Sequence, residues 1–291
     1  MQTLDKLIGQ FFNHNEESLL NNYPGINKNI LQESFFDFLG YEIGPGCLLS
    51  YSESEKSTKY FNELQKGVPL SYITNVGHFY GREFFVNESV LIPRFETEGL
   101  VELAVEHIKT ISGPRINVGE IGVGSGCIGL TILSECFDRS IDFRGGEISE
   151  SALMVARKNY QKLNFCIPDS SSVTFLVNDR LEGEDECHYD LIVSNPPYIK
   201  KDQDENLVHH QVREFEPALA LFIEDGVYES WFVELFSQIE RCLKPDGKFL
   251  MEGHENHLVR LKEIASEFSF KEIEIIKDLS SRDRVLSFRK S

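Results

Sequence analysis

From about Glu96 onward the sequence alternates between helical and strand-like hydrophobic spacing, and that alternation restricts the fold more than any other feature. The stretch over 96–111 has helical spacing and stops before Gly113-Pro114. "INVGEI" then reads as a strand that runs into "GVGSGCIG", which opens a helix to about Cys136. "IDFRGGEI" reads as the next strand, "SESALMVARKNYQKL" as a helix, and "SVTFLV" and "YDLIVS" as two more strands. A helix over 228–243 precedes "GKFLMEG", another spans 255–268, and "KEIEIIKD" and "DRVLSFR" close the chain across "LSSR". Strands alternating with helices require a mostly parallel sheet covered on both faces. The closing pair predicts an antiparallel edge. The fold class is therefore α/β.

Residues 1–75 lack this alternation. "LDKLIGQFF" and "INKNILQESFFDFLGYEIG" space apolar residues three or four apart (Ile30, Leu31, Phe35, Phe36, Leu39), which predicts helices, with Gly40 as a stop. The β-branched and aromatic residues of 76–94 predict a hairpin turning at Asn87-Glu88-Ser89, between "REFFV" and "VLI". The expected organisation is a small helical domain over 1–75, a β-hairpin connector over 76–94 and a catalytic domain over 95–291.

Charge bears on the partner. There are 29 Lys and Arg against 47 Asp and Glu, a net charge of −18, and neither half of the chain is basic. Such a surface repels phosphate backbones and lacks the basic stripe of a tight nucleic-acid binder. The six cysteines (47, 127, 136, 166, 187, 242) form no C-x-x-C, so neither zinc nor a disulfide scaffold is signalled, and reduced, mostly buried thiols are expected. The first residues lack the long apolar run of a signal peptide, and no uncharged apolar segment approaches ~20 residues, so no membrane span is expected. A cytoplasmic location follows as the expectation. His209-His210 has no second cluster at ligand spacing and reads as a solvated helix face. No metal site is predicted.

The glycine loop sits where a strand hands over to a helix. Gly122, Gly124 and Gly126, with Val123 and Ser125 between them, let the backbone approach a ligand beyond the carboxyl end of the strand. Gly124 to Gly129 matches G-x-G-x-x-G, and Glu147 ends the next strand where a carboxylate can accept both hydroxyls of a ribose. The loop alone does not separate a dinucleotide from S-adenosylmethionine. Asp179, after "SVTFLV", is placed to accept from an adenine amino group, and the stem of Arg180 to pack along the base.

"VSNPPYI", 193–199, tops the strand expected beside the first one. The prolines end the strand, since each lacks an N–H and fixes its own φ, and Asn195 before them is pushed towards an extended conformation. An amide, two stiffened carbonyls and an aromatic ring are thereby presented at a strand tip facing the glycine loop.

Gly122–Gly126 with Glu147 and "NPPY" at 195–198 resemble Rossmann-like, S-adenosylmethionine-dependent amino-group methyltransferases. "PLSYITNVGHFYGREFFVNESVLIPRFETEGLVE" (69–102), "VREFEPALALFIEDG" (212–226) and "RDRV" (282–285) narrow this to a resemblance to the HemK-type glutamine-N5 methyltransferases of peptide chain release factors (the PrmC family). It runs from about residue 66 to the C-terminus. Glu120 and Glu147 stand where aspartates are common, Val123 where a small hydroxyl residue is common, and Arg180 where an apolar or aromatic residue is usual.

The resemblance implies S-adenosyl-L-methionine as cofactor, held by Gly122, Val123, Gly124, Ser125, Gly126, Glu147, Asp179, Arg180 and Asn195. It implies a release factor as protein substrate, bound and methylated at Asn195, Pro196, Pro197 and Tyr198, by a monomer without direct nucleic-acid or membrane partners. An amide nitrogen is a poor nucleophile because its lone pair is delocalised into the carbonyl. The Asn195 side-chain carbonyl and the Pro196 backbone carbonyl can accept its two N–H bonds and favour the charge that builds on nitrogen. Pro197 stiffens that backbone, and Tyr198 can pack on the planar amide, its π face suiting a neighbouring cation. Phe95, Glu96 and Glu98 border the site by the same resemblance, and Arg94 fits an ion pair as well as a substrate contact. The competing readings are an adenine- or cytosine-amino methyltransferase of nucleic acid, a cofactor-binding protein that has lost catalysis, and a nicotinamide dehydrogenase resting on the loop alone.

Overall fold

The structure is a computed structural model that describes residues 3–41 and 48–291. The end of the second helical stretch past Tyr41, and Cys47, fall outside the described residues. Among the described residues four helices lead the chain: α1 (Leu4–Asn22), α2 (Lys28–Leu39), α3 (Tyr51–Gln65) and the short α4 (Leu70–Thr74). Local chemistry sets their ends. The Asn27 side chain accepts from Asn29 N at 2.9 Å and Ile30 N at 3.1 Å, capping α2, and Gly40 closes it in the left-handed region at φ 80°. Ser50 and Glu53 form a reciprocal capping box at the start of α3. Caps of this kind contribute about 1 kcal/mol each. The apolar faces of these helices meet in a core of their own around Leu31, Phe35, Tyr60 and Leu64, all buried.

A hairpin of β1 (Val76–Phe79) and β2 (Arg82–Phe85) follows, but it turns at Tyr80-Gly81, not at Asn87-Glu88-Ser89. Tyr80 and Gly81 take φ of 51° and 70°, the positive pair that matches the twist of a two-residue hairpin. Asn87 instead makes a local turn, its side chain accepting from Ser89 N at 3.1 Å, and "VLI" runs on as irregular chain.

The remainder alternates as expected. In order come α5 (Glu98–Thr110), β3 (Ile116–Ile121), α6 (Cys127–Glu135), β4 (Ile141–Glu147), α7 (Glu150–Leu163), β5 (Ser172–Val177) and β6 (Tyr189–Ser194). A strap then carries β7 (Ile199–Lys200), α8 (Lys201–Asp204), α9 (His210–Phe215), α10 (Ala218–Leu221) and β8 (Phe222–Ile223). Last are α11 (Tyr228–Cys242), β9 (Leu243–Glu252), α12 (Leu258–Ala265), β10 (Phe270–Lys277) and β11 (Asp283–Lys290).

Seven strands form one sheet in the order β10-β11-β9-β6-β3-β4-β5. The five from β9 to β5 are parallel, and β11 and β10 add antiparallel at the edge. One core packs α5 and α6 on the sheet and the other packs α11 and α12. The order reverses between β3 and β6, which pair with Ile121 opposite Ser194. In open α/β sheets ligands bind beyond the carboxyl ends of the strands at such a reversal. Gly122 and Asn195 are the next residues on those two strands.

Candidate active site

The loop after β3 is held open by its own backbone. Gly122, Gly124 and Gly126 take φ of 73°, 54° and 78°, the left-handed region that disfavours side chains. Gly122 N donates to Gly146 O at 2.9 Å, and Gly126 N to Val123 O at 2.8 Å. Glu147, at the tip of β4, holds two loops at once. Its Oε2 accepts from Gly124 N at 3.0 Å and its Oε1 from Ser149 N at 2.9 Å. Each carboxylate oxygen has a second lone pair, so both can still accept a hydroxyl. The unusual "RGG" has a packing reason: a Cβ on Gly145 would lie 2.5 Å from Val123 Cγ2, and one on Gly146 3.0 Å from Arg180 O. Beneath the loop, Glu120 is buried, accepts from Gly129 N at 3.1 Å, and is driven well above the usual carboxylate range by desolvation.

These strand ends floor a cleft. Gly122 to Ser125, Glu147, Asp179, Arg180, Asn195, Pro196 and Pro197 all line it. Gly126 does not; it starts α6, packed under Leu130 and Ala156. Cys127 also lines the cleft, and burial pushes its thiol up to about 12, so it stays neutral.

The end of the cleft beyond β5 is walled by Arg180. The residue is buried at φ 56°, and its Nη2 pairs with Asp179 Oδ2 at 3.1 Å and Glu234 Oε1 at 2.9 Å. Its guanidinium lies over the Trp231 ring, 5.2 Å from the centroid. It is thus a buried, doubly paired cation that walls the cleft, with Nε and Nη1 unpartnered among the described residues.

At the other end, Asn195 Nδ2 donates to Thr97 Oγ1 at 3.3 Å. Tyr198 turns away from the cleft. It lines an adjoining cavity with Asn195, Leu91, Val208 and Val212, and its hydroxyl donates to Glu252 Oε1 at 3.0 Å. Burial, then Glu252, push that phenol far above its ordinary range. Arg94 is an ion-pair residue: Nη2 meets Glu216 Oε1 at 2.5 Å, while Glu216 Oε2 accepts from Ile92 N at 3.0 Å. The Glu216 side chain is 1% exposed, so "IPR" and "EFEP" are clamped together over the site.

The comparisons with known proteins agree with this geometry. Residues 101–228 match the family described as Methyltransferase small domain. The chain is 32% identical to the release factor glutamine methyltransferase of Flavobacterium psychrophilum, over 77% of this chain and 76% of that one. It is 31% identical to the protein of the same name from Bacteroides thetaiotaomicron, over 86% of each. The chain belongs to the release factor glutamine methyltransferase family. Its fold is also that of the hMettl16 catalytic domain, solved in complex with the MAT2A 3'UTR hairpin 1, at a TM-score of 0.57, 14% identity and 93% of each chain.

S-adenosylmethionine is the cofactor of this methyltransferase family, and the residues present fit it. A carboxylate pinned at the tip of β4 beside three left-handed glycines suits a ribose, and Asp179 suits an amino group.

Sequence reasoning missed several residues that build the site. Asn159, buried on α7, accepts from Phe85 N at 2.6 Å and donates to Ser125 O at 2.8 Å, tying the hairpin to the glycine loop. Thr97, Glu216 and Glu252 are likewise buried polar groups at the site. Burial is the signal that marks them, and a single sequence does not display it. Two smaller expectations are corrected. His210 Nε2 lies 3.1 Å from Asn22 Oδ1, in contact with α1, instead of standing on a solvated face. Of the five described cysteines, all free, Cys136 and Cys242 are buried, Cys127 and Cys166 are partly so, and Cys187 is exposed.

Proposed function

We propose that the protein methylates the side-chain nitrogen of the glutamine in the Gly-Gly-Gln loop of a peptide chain release factor. The observation that carries this reading is Asn195 at the carboxyl end of β6, its amide held by Thr97, one strand from the glycine loop. Glu147 would accept the ribose hydroxyls, and Asp179 the adenine amino group. Gly122 to Ser125 would hold the amino acid portion. Bound S-adenosylmethionine supplies a methyl group on a sulfonium, a donor reactive enough for an amide nitrogen.

Asn195 Oδ1 and the Pro196 carbonyl accept the two N–H bonds of the substrate amide. They hold its nitrogen in line with the S–CH₃ bond and favour positive charge on that nitrogen as it forms. The cofactor would supply the methyl as an electrophile and keep the S–CH₃ electron pair on sulfur, leaving as S-adenosylhomocysteine. The methylated nitrogen then returns a proton to water, so no catalytic base is needed. Pro197 keeps the acceptor backbone stiff. Tyr198 walls the adjoining cavity, its hydroxyl held by Glu252, and keeps the packing role towards the amide expected of it. The adjoining cavity is lined by Asn195 together with Leu91 and Val212, a suitable slot for the apolar stem of a glutamine.

The test is a mass measurement on a release factor incubated with the protein and labelled S-adenosylmethionine, with DNA and RNA as parallel substrates. Label on the Gly-Gly-Gln glutamine, and none on nucleic acid, is the expected result. Changing that glutamine to glutamate should end labelling, since a carboxylate has no N–H to offer and is repelled by the two carbonyls. Label on adenine or cytosine with the release factor untouched would overturn the substrate assignment.

A further inference from the structure

An asparagine that must present its oxygen to a substrate faces a problem of polarity. Its amide can turn over at little steric cost, and the two orientations offer the substrate a donor or an acceptor; the surrounding hydrogen bonds alone decide between them. Only one orientation of Asn195 accepts an N–H from a glutamine amide.

The structure supplies a chain of groups that settles this. Glu252 ends β9, the strand next to β6, and is 1% exposed. Its Oε1 accepts the Tyr198 hydroxyl at 3.0 Å, and its Oε2 is buried with no other hydrogen-bonding partner among the described residues. Among the groups that favour its charged form the Thr97 hydroxyl comes first, so it is the donor available to the unfilled Oε2. Thr97 is itself 2% exposed and accepts from Asn195 Nδ2 at 3.3 Å. A threonine hydroxyl has one proton and two lone pairs. If the proton goes to the carboxylate, only lone pairs remain for Asn195, so the amide must turn its Nδ2 inward. Oδ1 is then left on the cleft side.

We propose that Glu252 and Thr97 are positioning residues that fix the orientation of the Asn195 amide, with Glu252 also pinning Tyr198 on the far side of the same motif. Neither need touch the substrate. This inference rests on the glutamine reading above, because the required polarity is that of a group accepting N–H bonds. It gives the buried Oε2 of Glu252 its donor and explains why a carboxylate stands there: a neutral amide could donate to Thr97 and reverse the chain.

Charge on Glu252 is part of the device. Desolvation raises its titration range, opposed by Thr97, Arg284 and Tyr198, and Glu96 adds to the rise. Arg284 is in turn held by Asp278 on the turn before β11, at 3.2 Å. Once protonated, Glu252 becomes a donor, and Thr97 is released from its single arrangement. Turnover should therefore fall on the acid side, with a limb above the ordinary carboxylate range.

The experiment compares Thr97→Val, Thr97→Ser and Glu252→Gln in the full chain, using a release factor and S-adenosylmethionine. Valine keeps the shape without the hydroxyl, and serine keeps the hydroxyl. Thr97→Val should lower kcat by about tenfold or more, the scale of one lost oriented hydrogen bond in the transition state. KM should change little and cofactor affinity stay within about twofold, since a positioning contact of this kind acts mainly on kcat. Thr97→Ser should recover most of the loss. Glu252→Gln should show reduced kcat and no acid limb. Equal impairment of the valine and serine variants, or wild-type kcat for valine, would overturn the proposal, as would an acid limb that persists in Glu252→Gln. Should Glu252→Gln fail to fold, the valine–serine contrast decides by itself. A wild-type protein that leaves the glutamine unlabelled would instead refute the substrate assignment, a separate outcome.

Discussion

Replacing Asn195 by alanine removes an acceptor from the place where charge develops, while the cofactor keeps Glu147 and the glycine loop. Methyl transfer by Asn195→Ala should fall by roughly 3 kcal/mol or more in barrier, the scale of one lost oriented charge-stabilising contact. Cofactor affinity by calorimetry should change far less. Turnover at the wild-type rate would remove Asn195 from the reaction. Glu147→Ala belongs to the same scale with the opposite signature. It should weaken S-adenosylmethionine binding by about 1.5–3 kcal/mol, as for hydrogen bonds to a charged group. It also frees Gly124 N and Ser149 N, so the loops on either side should loosen. Unchanged affinity in the titration would reduce the acid to a loop tie. Both residues were legible because each stands in a short local pattern, a strand followed by glycines or by prolines. Thr97 and Glu252 were not. Thr97 meets Asn195 across 98 positions and Glu252 meets Tyr198 across 54, and only the sheet brings them together.

Among the elements, strands and helices past Glu96 were readable to within a few residues, because buried parallel strands are continuous apolar runs and their covering helices are amphipathic. The hairpin was misplaced for a specific reason. Asn87-Glu88-Ser89 carries familiar turn residues, whereas Tyr80-Gly81 hides a positive-φ pair behind an aromatic residue. The strap from β7 to β8 was also illegible, since its short helices are fixed by distant partners: Glu216 by Arg94, and the Asp204 carboxylate by His257 at 2.6 Å. Helix α6 offers a sharp test of element packing. A Cβ on Gly129 would run into the Phe143 ring and the Glu120 carboxyl, both held in the sheet below. Gly129→Ala should therefore destabilise the protein, by about 1–3 kcal/mol for overpacking a filled core, despite the better helix propensity of alanine. A thermal melt at or above the wild-type midpoint would mean that α6 can lift from the sheet without cost.

On the scale of the whole molecule, the residues assigned to cofactor and amide all come from Ser89 onward, yet the leading helices touch the strap that walls the amide cavity. His210 meets Asn22, and Gln211 Nε2 donates to Gly67 O at 2.7 Å. Val212, next along α9, lines the cavity at Asn195. A protein substrate arriving at that cavity would pass the first helices, and we propose that these recognise the release factor outside its Gly-Gly-Gln loop. The consequence is a split between substrates. A chain beginning at Gly67 should bind S-adenosylmethionine within about twofold of the full protein, because no cofactor contact is lost. On the intact release factor its kcat/KM should drop steeply, mainly through KM, as expected when remote binding is removed. A short Gly-Gly-Gln peptide makes no such remote contact, so its smaller kcat/KM should change much less between the two chains. Truncation uncovers Ile73 and Leu70, whose core partners lie in the first helices, so a melt and a check for aggregation accompany the kinetics. Equal loss on factor and peptide would show that the helices act by bracing α9. Full activity of the shortened chain on the intact factor would leave the first helices without a part in recognition.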